Sequence, residues 1–477
     1  MTDMSEECLD IINNGHFNVV DPGPLHTPIR GFSLRRNDKL TLILETEADS
    51  KAASTAVEHP PGTVRLSVER AKLVNIAGVE AELVGVVPYS VRTAEGDPVD
   101  RALRVSAQVH SATVAPGDVV TATYTIDWLE NLPASPFVWP DTVKTTTNTT
   151  KTRSIGMGDG GLTISSDSER FSLARTAAKL VISGVTFYVC ALGRDRVGGG
   201  IEPGCVVYDG TPDDAFRKKV RIALSFALGL YLVDLGHTIY DRDWHIVSAF
   251  ARSAYSLGRR AFDMGPEQLA PLGPRFLNEL NSNQLTRAVN ALVSFYDELD
   301  LANLSWAYWH ACAATPHIAP AHFGAAIEAL QRAYIRTHPN AVVEVWAPRQ
   351  VWKMLRAAMA SSIEQTDISD EAKTALVRKL TNFNQVDQRP LLKAVFAALG
   401  LELGEDEDAA WRRRNKAAHG MPIPEGQELA AIRDMKLLRG LFQRMLLRIT
   451  NAADQYIDYT SPNHSFRRLE EAPPVAT

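Results

Sequence analysis

The sequence predicts an α+β multidomain chain: an antiparallel β-rich N-terminal domain followed by an all-α region. Three observations carry that prediction. Residues 29–208 hold short β-branched runs separated by Pro and Gly turns. From Thr211 onward Ala, Leu and Arg dominate, with apolar residues three and four apart. At 477 residues, 45% hydrophobic and 22% charged, the chain suffices for about three domains and has a globular composition.

The strand-rich part reads in order as residues 40–45, 64–68, 80–87, 103–109 and 119–127. Within the last, Thr121, Thr123 and Thr125 point one way and Ala122, Tyr124 and Ile126 the other. Pro60-Pro61-Gly62 and Pro116-Gly117-Asp118 supply turns, and the Thr-rich run 144–152 is either an exposed edge or a loop. Strands recur at 179–190 and 205–208. The helical signal here is too thin for alternating βαβ units, so antiparallel sheets packed as a sandwich or open barrel are expected.

Thr211-Pro212-Asp213-Asp214 opens the helical part, with Thr as N-cap, Pro at the first position and acids in the first turn. Helical spacing then covers 213–237, 243–263, 284–299, 302–314, 319–337, 348–365, 369–383, 388–402, 407–419 and 426–458. The expected organisation is a β-rich sensor or regulatory domain at 1–210, a helical middle region at 211–340, a helical domain at 341–460 and a flexible tail at 461–477.

Lys plus Arg number 50 against 56 Asp plus Glu, a formal charge of −6, which excludes a uniformly basic nucleic-acid coat but not a local site. No run reaches the ~20 apolar residues of a spanning helix. The apolar run 222–233, set between Lys218-Lys219 and Asp234, reads as a buried helix. The acidic N-terminus lacks a basic n-region, so a cytoplasmic protein with no membrane partner is expected. Cys8, Cys190, Cys205 and Cys312 form no C-x-x-C pair and read as reduced thiols.

Several motifs invite chemistry. Gly156-Met157-Gly158-Asp159-Gly160-Gly161 satisfies G-x-G-x-x-G, but Leu162-Thr163-Ile164-Ser165 continues as a strand where a dinucleotide site needs a helix. Gly198-Gly199-Gly200 lacks the Lys of a P-loop. His237, Asp241, Asp243 and His245 could gather a metal, or Asp243 could be the N-cap of a helix from Trp244; no zinc spacing favours the metal. His310, Cys312, His317 and His322 bracket a helix boundary, where packing and capping explain them. No metal or other cofactor is expected.

The segment Trp411-Arg412-Arg413-Arg414-Asn415-Lys416-Ala417-Ala418-His419-Gly420 is different. Gly420 is the usual residue after a helix end, and Pro422 and Pro424 forbid continuation. His419 then sits where the chain leaves helical geometry and its ring can swing towards Arg414. The negative helix end favours imidazolium, a proton donor near neutral pH. Arginine and histidine in one concave site can cleave RNA without metal, the histidine moving protons and the guanidinium stabilising the pentacovalent phosphate. Residues 409–450 hold nine basic and three acidic residues, a local +6 suited to capturing a polyanion. Arg-x(4–6)-His also occurs at Arg104–His110 and Arg332–His338, so spacing alone does not select the site.

The run 414–420, RNKAAHG, resembles the R-N-x-x-x-H-G signature of HEPN domains, small all-helical ribonuclease modules. Residues 376–403, with Asn382-Phe383-Asn384 at their corner, resemble the helix pair before that signature in ApeA-like HEPN proteins, and the match covers about residues 340–460. A fainter likeness centres on Pro28-Ile29-Arg30-Gly31-Phe32. The resemblance implies a HEPN-type bundle at the C-terminus and a metal-independent endoribonuclease of antiphage defence by abortive infection. RNA, with tRNA a candidate, would be cut to leave 2′,3′-cyclic phosphate. It implies Arg414 and His419 as the catalytic pair with Asn415 orienting backbone or phosphate. Arg412, Arg413, Lys416, Arg433 and Lys436 are the expected RNA contacts. Arg412 and Arg413 also satisfy the motif spacing; adjacency to Asn415 selects Arg414. A homodimer through the HEPN domain, a phage-derived trigger and an acidic partner on an earlier helix are implied as well, the last unplaced, with Asp387 the only guess. The alternative is a non-catalytic HEPN-type module that binds RNA, a nucleotide or a protein.

Overall fold

The computed structural model describes residues 6–54, 69–93, 102–115, 121–132, 138–155, 162–192, 204–254, 270–272, 281–343, 345–418, 420–461 and 463–475. The chain divides into two compact units. One comprises Met1–Ser225, Leu230–Asp263 and Pro274–Thr286; the other comprises Phe226–Gly229, Met264–Gly273 and Arg287–Thr477.

The first unit begins with α1 (Glu7–Asn14), β1 (Phe17–Asp21), β2 (His26–Arg36), β3 (Leu42–Ser54), β4 (Arg70–Asn75), β5 (Glu80–Val84), β6 (Val87–Thr93), β7 (Ala102–Val109) and β8 (Ser111–Ala115). It continues through β9 (Tyr124–Leu129), β10 (Asp141–Ile155), β11 (Leu162–Ile182), β12 (Val185–Ala191), β13 (Gly204–Tyr208), α2 (Asp214–Leu228), β14 (Asp234–Tyr240) and β15 (Ile246–Arg252). Among the described residues these form an eleven-stranded sheet, ordered β1-β4-β5-β8-β15-β14-β9-β13-β12-β11-β10, and a four-stranded sheet, β2-β3-β7-β6. Every pairing in both sheets is antiparallel. Leu34, Leu42, Leu44 and Val109 of the small sheet share a core with Leu73, Leu83 and Val114 of the large one, and Cys8, Leu9 and Ile12 of α1 join it. The expected antiparallel β-rich region is therefore present, as two sheets that share one core, because alternating apolar residues give each sheet one face to bury.

The Thr-rich run lies in β10, an edge strand paired with β11. Gly156–Gly161, Gly198–Gly200 and residues 64–68 lie outside the described residues; Leu162, directly after the first motif, opens β11 and not a helix. All four cysteines are free thiols.

Three expected helices are corrected; the one read over 426–458 stops at Thr450, and the strand Gln455–Ile457 follows. The helix read over 213–237 stops at Leu228, where Gly229 takes φ +72, and β14 follows. The described part of 243–263 is strand β15, not helix. Ala249 and Ala251 look helical by composition, but β15 lies between β8 and β14, and pairing on both edges overrides alanine's helix propensity. Asp243 is consequently no helix N-cap. Asp241 Oδ1 instead accepts from the backbone N–H of Asp243 and of His245, both at 2.8 Å, in the turn joining β14 to β15.

The helical region carries α3 (Ser282–Ser294), α4 (Leu301–Ala313), α5 (Ala319–Thr337), α6 (Arg349–Glu364), α7 (Asp370–Lys379), α8 (Gln388–Ala398), α9 (Glu405–Ala418) and α10 (Glu428–Thr450). Tyr308, Trp309, Phe323, Leu438, Leu441 and Phe442 build the core of the second unit, where α10 packs on α5 and α9. The tail expected to be flexible instead returns to the bundle: β17 (Phe466–Arg468) pairs with β16 (Gln455–Ile457), and Leu469 is fully buried. Among the described residues no helix is long and apolar enough to cross a membrane.

Candidate functional site

Helix α9 starts with Glu405, Asp406, Glu407 and Asp408, a charge distribution that suits the positive end of the helix dipole. Its buried stripe is Glu407, Ala410, Trp411 and Arg414, a three- and four-residue spacing that sets two charges among apolar neighbours. At its other end Gly420 takes φ +68 and its N–H donates to the Ala417 carbonyl at 3.0 Å, so the glycine tolerates the left-handed turn that ends the helix.

Arg414 is 6% exposed. Its guanidinium carbon stands 3.4 Å from the centroid of the Trp411 ring, and Nη1 donates to the Trp411 carbonyl at 3.0 Å. Nη2 donates to Glu328 Oε1 on α5. One turn before Glu328, Gly324 leaves the space in which the Arg414 stem crosses α5; a Cβ there would stand 2.6 Å from Arg414 Cδ. Burial pushes the Arg414 pKa below the usual arginine value while Glu328 opposes the shift. A guanidinium remains charged under both influences. Tryptophan, glycine and glutamate thus hold one cation against α5.

The other expected site residues fall into distinct settings. Arg413 makes a two-pronged ion pair with Asp434 of α10, at 2.7 and 2.6 Å. Arg433 donates to Asp406 at 2.8 Å. Arg412 is exposed and 3.8 Å from Asp408, which Arg389 already grips at 2.8 and 2.6 Å. Asn415 is exposed and Lys436 half-buried. The side chain of Lys416 and the whole of His419 lie outside the described residues.

The local charge of +6 changes meaning in three dimensions. Starting the count at Glu405, the first residue of the same helix, leaves +2. Five of the nine cations, Arg413, Arg414, Arg433, Arg444 and Arg448, pair with carboxylates at hydrogen-bond distance. Arg412 and Arg413 are the exposed cations of α9 among those whose side chains are described, and of the two only Arg413 is gripped by a carboxylate at hydrogen-bond distance.

Glu328 is the residue that the sequence reading did not find. It stands 86 positions before Arg414, and only its one-turn spacing from Gly324 on an apolar helix hinted that it faces a neighbour. Asp387 has another place: its carbonyl accepts from Leu391 in the first turn of α8. Among the described residues no group of His, Cys, Asp or Glu could hold a metal, and this covers His237, Asp241, Asp243 and His245. No family model, curated protein or solved structure matches the chain.

Proposed function

We propose that the protein is a metal-independent endoribonuclease of the HEPN type, with its site at the C-terminal end of α9. The observation that carries this reading is the Glu328–Arg414–Trp411 arrangement directly before the RNKAAHG helix end. A guanidinium stacked on one face and tied by a single carboxylate is held in a fixed position, while its remaining donors suit a phosphate.

In the proposed reaction the ribose 2′-oxygen attacks phosphorus and the bond from phosphorus to the 5′-oxygen breaks. The 2′-hydroxyl proton leaves to a base and the departing 5′-oxygen gains one, His419 serving one of these transfers. Arg414 stabilises the added negative charge of the pentacovalent phosphate. The products are a 2′,3′-cyclic phosphate and a 5′-hydroxyl. Arg412, Asn415 and Lys416 would meet the flanking backbone. Arg413 and Arg433 reach RNA only by leaving Asp434 and Asp406, so Arg412 ranks ahead of them.

Pairing of two such sites in a homodimer fits an exposed apolar surface in this unit: Trp346, Val351, Met354, Leu355 and Met359. A role in antiphage abortive infection, with RNA or tRNA as target, rests on the HEPN resemblance. A second reading, a non-catalytic RNA-binding module, is favoured by the burial of Arg414.

Purified full-length protein incubated with total RNA in EDTA separates the two. The proposal expects cleavage with 2′,3′-cyclic phosphate ends, lost in a folded His419→Ala variant. Salt-dependent RNA binding without cleavage supports the module instead, and undiminished cutting by His419→Ala removes that residue from the mechanism.

A further inference from the structure

A second charged site lies in the first unit, in a cavity of about 530 Å³ where α2 meets β9, β14 and β15. Its floor is a row across the sheet: Asp127 of β9 faces His237 of β14, which faces Phe250 of β15. Helix α2 contributes Arg217 and Arg221, one turn apart, and β15 contributes Arg252.

Arg217, 4% exposed, pairs with Asp127, itself 2% exposed, while its Nε has no hydrogen-bond partner among the described residues. Arg221 Nη2 and Arg252 Nη1 both approach Asp234 Oδ2 at 3.3 Å, so two guanidiniums share one oxygen. Asp214 at the rim also pairs with Arg217, at 3.2 Å, and Lys218 is exposed there, so four cations line the cavity against three carboxylates. A surplus cation in a partly closed space calls for an anion. Burial pushes the His237 pKa down to about 4, so at neutral pH the ring adds no further positive charge and presents a neutral hydrogen-bonding group.

We propose that this cavity binds a small phosphorylated metabolite of nucleoside monophosphate size. Arg221 and Arg252 hold the phosphate, Lys218 reaches it from the rim, and the organic part lies against Phe250 and Tyr231. Two converging guanidinium forks match the several oxygens of a phosphate better than the single carboxylate oxygen they now share. The volume leaves room beyond a bare phosphate, and the two aromatic residues supply an apolar wall for it. The site does not depend on the ribonuclease reading, and its readout needs no RNA cleavage.

The test is calorimetric titration of the full-length protein with AMP, GMP, CMP and UMP, and separately with inorganic phosphate. At least one nucleotide is expected to bind tenfold or more tightly than phosphate, and phosphate is expected to compete with it. Arg252→Met and Lys218→Gln should each weaken the nucleotide by about tenfold or more, the loss of one charged contact. Arg414→Lys should leave the titration unchanged, which places the heat in this cavity and not at α9. Absence of heat with every probe at millimolar concentration would overturn the proposal. Wild-type affinity in a folded Arg252→Met protein would also overturn it, leaving the cluster as an anchor for α2. Should Arg252→Met not fold, Lys218→Gln decides by the same criterion.

Discussion

Arg444 and Arg414 stand on neighbouring helices of one unit, both withdrawn from water, and differ in how their donors are used. Arg444, 0% exposed, makes six hydrogen bonds among the described residues: two to Glu407, and the rest to the carbonyls of Glu402, Leu469 and Glu470. Arg414 makes two, one to Glu328 and one to the Trp411 carbonyl. The first arginine is saturated and ties the C-terminal segment to α9 and α10. The second is held by stacking, one carboxylate and one carbonyl, with donor capacity left over among the described residues. Burial alone therefore does not mark an arginine as structural; the count of satisfied donors separates the two.

The largest expected effect falls on the saturated partner. Arg444→Met leaves Glu407 buried without its counter-charge and should lower stability by about 3–5 kcal/mol in urea unfolding. Burial already holds the Glu407 pKa above the usual carboxylate range. A loss under about 1 kcal/mol would show that the network is dispensable.

Gly324→Ala probes the other arginine through its neighbour. The added Cβ meets the Arg414 stem at 2.6 Å, so the side chain must shift. A stability loss of about 1–3 kcal/mol is expected, together with a fall in RNA cleavage that outlasts any correction for unfolded protein. Equal activity per folded molecule would mean that the position of Arg414 is not critical.

Glu328→Gln keeps a hydrogen-bond acceptor and removes the charge. The expected cost is about 1 kcal/mol or less by thermal unfolding, with kcat reduced more than KM because in the proposed reaction Glu328 positions Arg414 without touching RNA. An effect confined to KM would assign it to substrate binding.

The smallest effect belongs to Asp408, whose pKa is lowered by hydrogen bonds from Arg389 and by the nearby Lys393 and Arg412. Its folded value lies below its unfolded one, so its contribution is present above the ordinary aspartate pKa and is lost as pH falls through the lower folded value. Asp408→Asn should cost no more than about 1 kcal/mol at neutral pH, and the difference from wild type should vanish in acid, as read by unfolding at pH 7 and below pH ~3.

The sequence made some of this legible and hid the rest for physical reasons. Alternating β-branched residues revealed the antiparallel β-rich region, and the Gly420 helix end was visible from its Pro-rich continuation. Strand β15 was not, because its alanines carry helix propensity and only pairing with β8 and β14 decides the matter. Leu469 and its neighbours looked like a tail until Arg444 supplied partners for their carbonyls. The +6 count began four residues too late, inside α9, and missed the acids that its own first turn presents. Glu328 could be reached only through tertiary packing, since nothing in local pattern links α5 to α9.

Single-turnover cleavage by Arg414→Lys tests the central claim most directly. Lysine keeps the charge facing Glu328 but loses the planar fork and the stack on Trp411. The account expects a folded, dimerising protein whose cleavage in EDTA falls by about 100-fold, the scale of losing one donor that stabilises transition-state charge. Cleavage at the wild-type rate would contradict it, and Arg414 would then be a packing residue like Arg444.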